Sequence, residues 1–303
     1  MDFAEAREAF FAPRDDAAPG PDRSSAARRL RHALEPLAMV SVWGDHAAGQ
    51  LGALGLNFLT GYVGSRACVL GDPDATVVAA TFGVFEPGLV ADLWRGARAQ
   101  AGVEDLRRAR VAAAGGALSD VLHDVDPGEI DRVVDALRAA LESAPADLVG
   151  RPLYAGLRSL PWPDDAYARL WHAATLMREH RGDAHLGACV TAGLDGLEAN
   201  ILTELRAGYS ILEYTASRGW PQDAMNAAVN RLEARGLVAG GALTDEGKHF
   251  REALEEVTDH AEDRLVAALG DDLTRLVDAV EPWAEAVVAR GWFPPDPYKR
   301  TAG

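Results

Sequence analysis

From Ser24 onward the apolar residues recur at spacings of three and four, the period of helices with one buried face. The pattern predicts helices near 25–34, 46–64, 73–84, 87–101, 104–113, 127–143, 164–181, 183–206, 209–217, 221–235, 244–269 and 271–290. Alternating runs of the strand type are nearly absent, so the fold class is mainly α. Asp72-Pro73, Glu86-Pro87 and Asp126-Pro127 each place proline in a first helical turn, where its missing N–H costs nothing. Gly182-Asp183 reads as a C-cap followed by an N-cap, which predicts a break between two helices.

A different signature covers 209–265. Two short helices lead into Gly236-Leu237-Val238, then Ala239-Gly240-Gly241-Ala242, then Leu243-Thr244-Asp245-Glu246-Gly247 and a helix with Phe250, Leu254 and Val257 on its apolar face. This order predicts a helical bundle domain followed by a winged helix-turn-helix domain with a small two-stranded wing. Residues 12–24 hold three prolines and a glycine and read as an arm after a short N-terminal helix. The expected division is 1–24 for that helix and flexible arm and 25–206 for a helical ligand-binding or catalytic domain. The winged helix then takes 207–270, and a C-terminal helix and tail take 271–303.

Composition narrows the partners. The formal net charge is −16, and among 30 basic residues only Lys248 and Lys299 are lysines. That arginine bias, with abundant alanine, reads as a GC-rich genome of actinobacterial type. Between Arg218 and Asp272 six basic residues face twelve acidic ones. The wing carries no charge, and Arg231 and Arg235 are offset by Asp223 and Glu233. A field this negative repels phosphate backbones, so nucleic acid is not an expected partner. No apolar run approaches 20 residues, and Met1–Asp16 lacks the layout of a signal peptide. The expectation is a cytoplasmic chain with no membrane partner. Cys68 and Cys189 lack metal spacing and read as small core residues.

The densest chemistry is Arg178-Glu179-His180-Arg181-Gly182-Asp183-Ala184-His185, with His172 two turns upstream. His172 and Glu179 share one helix face, while Arg178 and Arg181 neighbour each other on another. With Arg66 and Tyr62, the set offers guanidinium forks and imidazoles for a carboxylate, sulfate or phosphate. Candidate ligand-binding residues are Arg66, Arg178, Arg181, Asp183 and Tyr62; candidate catalytic residues are His180, His185, Glu179 and His172. The competing reading pairs Glu179 and Asp183 with the arginines as a buried salt-bridge lattice that locks helices. No metal is expected, because His180 and His185 lack ligand spacing. No cofactor fingerprint is present.

Gly61-Tyr62-Val63-Gly64-Ser65-Arg66, Gly150-Arg151-Pro152-Leu153, the stretch Leu170–Asp183, Leu194-Asp195-Gly196-Leu197-Glu198 and Arg218-Gly219-Trp220 together resemble an actinobacterial all-helical family without a settled activity. That family ends in a MarR-like winged-helix domain, and the resemblance spans about 30–290. Its members usually carry histidine where Ala38 stands here, so no role is carried over to that position. Three functions stay open. The first is an enzyme or enzyme subunit of specialised metabolism acting on a small anionic metabolite, by elimination or intramolecular substitution of an anionic leaving group. The second is a ligand-binding regulator or resistance protein of the winged-helix type. The third is an architectural subunit. The C-terminal helices, rich in Ala, Leu and Val, could support a homo- or heterodimer.

Overall fold

The computed structural model describes residues 22–144 and 147–296. The expected N-terminal helix and most of the arm lie outside these residues, as does the last part of the tail. The architecture is mainly α, with one two-stranded sheet among the described residues. No described helix is long and apolar enough to cross a membrane.

The first half comprises α1 (Ala26–Trp43), α2 (Asp45–Gly52), α3 (Phe58–Ala67), α4 (Ala75–Phe82), α5 (Pro87–Gln100), α6 (Val103–Val121), α7 (Pro127–Ser143) and α8 (Pro152–Arg158). Around them runs α9 (Ala166–Thr191), which packs against α1, α6, α7 and α8. Buried residues sit on every side of α9, including Leu170, Trp171, Ala173, Ala174 and Met177. A helix buried all round shows no single apolar stripe, which is why its periodicity is hard to read.

Several boundaries differ from expectation. The helix expected over 73–84 starts at Ala75 with Asp74 as its cap, so Pro73 lies before it, and the one expected over 104–113 runs on to Val121. The one expected over 209–217 is a 3₁₀ turn at Thr215–Arg218, and those expected over 183–206 and 244–269 are interrupted at 192–195 and 261–262. Three further differences have a clear physical reason. The first helix runs through Pro36 to Trp43, because Leu37, Ala38, Met39 and Val40 are buried beneath it. The single helix expected over 46–64 is two: Gly55 turns the chain at φ 80°, and the Asn57 side chain accepts from the Thr60 N–H at 3.0 Å. The break at Gly182 does not occur. Gly182 is not among the described residues with positive φ, and α9 continues unbroken. Asp183 caps a different helix, accepting the Tyr154 N–H in the first turn of α8 at 2.9 Å.

The second half is built from α10 (Gly196–Arg206), a 3₁₀ turn at Thr215–Arg218, α11 (Gln222–Ala234), β1 (Val238–Ala239), β2 (Ala242–Leu243) and α12 (Asp245–His260). β1 and β2 pair antiparallel with Val238 opposite Leu243. Gly240 and Gly241 both have positive φ, as a two-residue turn matched to strand twist requires. Ala188, Cys189, Leu197, Ile201, Met225, Leu232, Val238 and Leu254 form a separate apolar core beneath this winged helix. α13 (Asp263–Leu269) and α14 (Asp272–Ala289) return to the first core, where α14 lies along α1. Leu273, Leu276, Val277, Val280, Trp283 and Val287 are buried in that contact, so the apolar stripe expected to serve a dimer faces inward.

The two halves meet where α9 packs on α12, and again around Gly83 and Gly196. A Cβ on Gly196 would stand 1.7 Å from the Gly83 carbonyl oxygen, so only glycine fits that approach. Beside it, Trp220 Nε1 donates to the Val84 carbonyl at 2.9 Å, and the Glu86 N–H donates to the Arg218 carbonyl at 3.0 Å.

Candidate functional site

A cavity of about 250 Å³ lies between α1, the middle of α9 and the winged-helix half. On α9, Arg178, Arg181, Gly182, His185 and Cys189 follow the spacing of one helix face and all line it. α1 contributes Leu30, Arg31, Leu34 and Glu35, and α4 contributes Thr81 and Phe82. α10 adds Asn200, Thr203 and Glu204; α12 adds Arg251 and Glu255; Tyr209, Tyr214 and Arg218 complete the wall. The winged helix therefore forms one side of the chamber.

Most of the charges are already paired. Arg66 reaches both oxygens of Glu179 at 3.0 and 3.3 Å and donates to the Tyr62 hydroxyl at 2.6 Å. Arg178 bridges Glu35 and Glu179, each at 3.0 Å. Arg181 crosses to α12, meeting Glu255 at 3.0 Å and Asp259 at 2.8 Å. Arg251 meets Glu255 at 2.7 Å, and Arg28 meets Glu252 and Asp259 at 2.7 and 2.8 Å. Burial alone would push the Glu179 carboxyl up, but the Arg66 and Arg178 charges hold it below its ordinary value. The guanidiniums of Arg66 and Arg178 are conversely raised against the effect of burial, by Glu179 and by Glu35 respectively.

Arg31 is the exception. It lines the cavity, and among the described residues it has no hydrogen bond or ion pair. Burial pulls its guanidinium below the ordinary arginine value; Glu35 and Glu255 oppose that shift, while Arg181 and Arg178 add to it. Arg31 as a whole is half-buried, so a part of it stays accessible. The lining as a whole holds eight arginines against seven carboxyl groups, a cationic balance inside a chain of net charge −16. Burial strengthens that balance by pushing Asp183 up to about 7 and raising Glu204, whose oxygens accept the N–H groups of Leu212, Tyr214 and Thr215.

The residues expected from the sequence divide cleanly. Arg66, Arg178, Glu179, Arg181, Asp183 and His185 line the cavity, whereas Tyr62, His172 and His180 do not. Tyr62 is buried behind Arg66 and positions it. His172 stands edge-on to Trp162 with ring centroids 4.9 Å apart, and burial lowers its pKa to about 4. His180 is fully buried, with Nδ1 2.5 Å from Glu262. His185 faces Thr258 at 3.0 Å, and burial followed by the Arg251 charge takes its pKa down to about 3. Neither His172 nor His180 lines the cavity itself, although Glu262, the partner of His180, does, and burial favours the neutral form of His185. His46 pairs with Asp120 at 2.7 Å on the bundle surface. Asp195 and Glu198 form a capping box and pair with Arg231.

Sequence reasoning missed Arg31, yet a local signal existed. Arg28, Arg29 and Arg31 crowd the first two turns of α1, where the helix dipole disfavours cations and no acid stands in the first turn. Such placement asks for anions from elsewhere. Arg251 was also missed, being one arginine in an otherwise acidic helix.

On the opposite side of the winged helix, α11 exposes Gln222, Asp223, Asn226, Asn230, Arg231 and Glu233. Arg231 is held by Asp195 and Glu198 at 2.5 and 2.8 Å, and Arg235 donates to the carbonyls of Gly193 and Ala192. Both arginines of this region are thus drawn back onto the protein.

The chain matches a helix-turn-helix family over residues 27–294 and belongs to that family. No curated protein and no solved structure matches it.

Proposed function

We propose that this chain is a ligand-binding helix-turn-helix protein whose cavity takes a small organic anion. One observation carries the reading: Arg31 is a half-buried cation at the wall of the cavity, with no hydrogen bond or ion pair among the described residues. Leu30, Leu34, Phe82, Met177 and Leu186 beside it suit an apolar body attached to the charged group. Family membership favours a sensor or resistance role over catalysis, and the placement of His172 and His180 outside the chamber favours the same choice. The winged helix acts in this reading as a wall of the chamber and a responder to its contents. With Arg231 and Arg235 committed to the protein and an uncharged wing, it is not a strong phosphate binder.

Isothermal titration with benzoate, hexanoate, phosphate and sulfate tests this directly. At least one of these anions binds the parent protein, and Arg31→Gln abolishes that binding while the variant stays folded. Absence of any binding to the parent, or undiminished binding to Arg31→Gln, contradicts the proposal.

A further inference from the structure

The cavity has a second open donor, on a different helix. Arg251, on α12, is 96% buried by its 4% exposure and spends Nη2 on Glu255 and Thr203, while its buried Nη1 has no hydrogen-bond partner. Arg31 comes from α1 in the bundle; Arg251 comes from the helix that follows the wing. Both line the same cavity, and both charges act on His185 and Glu255.

We infer that Arg31 and Arg251 are the two arms of one seat, which clamps a single monocarboxylate between the helical bundle and the winged-helix half. The inference rests on the ligand-binding reading above and adds the ligand class and the coupling. Charge decides the class. Arg66 and Arg178 are matched by Glu35 and Glu179, and Arg181 and Arg251 share Glu255 with help from Asp259. Beside Glu35 and Glu255, Arg31 leaves one positive charge over; Arg218, also in the lining without a carboxylate partner, donates to the Tyr214 hydroxyl and stacks on its ring. One carboxylate neutralises it and has two oxygens to divide between two guanidiniums. A phosphate or sulfate dianion brings one charge too many beside Glu35 and Glu255.

The consequence is mechanical. α12 is already bound to α9 through Arg181 and His185 and to α1 through Arg28. A carboxylate across Arg31 and Arg251 adds a tie from within the cavity, so occupancy steadies α12 and the wing that leads into it. Ligand state is then read as the order of residues 236–260, because a ligand shifts a conformational balance only by its differential contacts.

Titration and hydrogen exchange with benzoate test the clamp. Arg251→Lys keeps the ion pair with Glu255 but removes Nη1, and Arg251→Gln removes both. Each is expected to weaken benzoate about ten- to a hundredfold, with Arg31→Gln doing the same. In the parent, benzoate slows exchange across 236–260, and in both Arg251 variants that protection is lost. Benzoate binding that needs Arg31 but is unchanged in Arg251→Lys overturns the clamp and leaves the cavity reading intact. Phosphate binding more tightly than benzoate overturns the monocarboxylate assignment. Failure of benzoate and hexanoate to bind the parent at all removes the clamp, and failure of phosphate and sulfate as well removes the cavity reading beneath it.

Discussion

Arg31 and Arg178 lie on packed helices beside one cavity, yet loss of the guanidinium has opposite consequences at the two sites. Arg31→Gln removes a charge with no partner, so the melting temperature holds or rises while anion binding disappears. Arg178→Ala strands Glu35 and leaves Glu179 with Arg66 alone, which costs about 3–5 kcal/mol of stability. Thermal unfolding of both variants, alongside titration, checks the contrast; equal destabilisation would show that Arg31 is paired in solution. Buried titrating groups give a second test. His32, His172 and His185 sit at about 4, 4 and 3, below the ordinary value of 6.5. Between pH 6.5 and 4 the unfolded chain binds more protons there, so stability falls as pH drops through that window. His172→Phe, which keeps a flat ring against Trp162, is expected to flatten part of that loss in urea melts. Asp183 has the opposite sign: its folded value of about 7 exceeds 3.8, so its contribution declines as pH rises from 4 to 7. The stability of Asp183→Asn relative to the parent should grow over that window, by about 4 kcal/mol at most.

At the scale of elements, the winged helix and most helices were legible because their periodicity, prolines and glycine turn are local signals. Pro87 and Pro127 open helices where expected, and Gly240-Gly241 makes the turn of the wing. Gly182 misled for an equally clear reason. Gly-Asp has the chemistry of a helix junction, but packing around α9 overrides it, and the capping carboxylate of Asp183 serves α8 across space. A Cβ at Gly182 would meet nothing closer than Glu179 Oε2 at 3.9 Å. Gly182→Ala is therefore expected to stabilise the protein by about 0.5–1 kcal/mol. Gly196→Ala, driven into the Gly83 carbonyl, is expected to destabilise it strongly. Chemical denaturation separates the two, and a destabilised Gly182→Ala would mean that the helix does break in solution. The candidate site was half legible. The α9 arginines announce themselves by clustering, whereas the pairing of Arg178 and Arg181 and the isolation of Arg31 depend on partners more than 70 residues away.

Across the whole molecule, the charges lie where they would serve an internal ligand better than a polyanion. An unpaired arginine lies at the chamber wall, while the outer face of α11 shows asparagine, glutamine, acids and Arg231, which is tied to Asp195 and Glu198. The expected gel shift with duplex DNA at physiological ionic strength is weak and without sequence preference. A specific complex lost in Arg231→Ala and Arg235→Ala would instead show that these arginines leave their internal partners to reach phosphate. The central claim, an anion seat within the chamber, is tested most directly by a crystal structure with 4-bromobenzoate. The account predicts an anomalous bromine peak among Leu30, Leu34, Phe82 and Met177, with the carboxylate between Arg31 and Arg251. A chamber holding only water, or bromobenzoate confined to the protein surface, would contradict it.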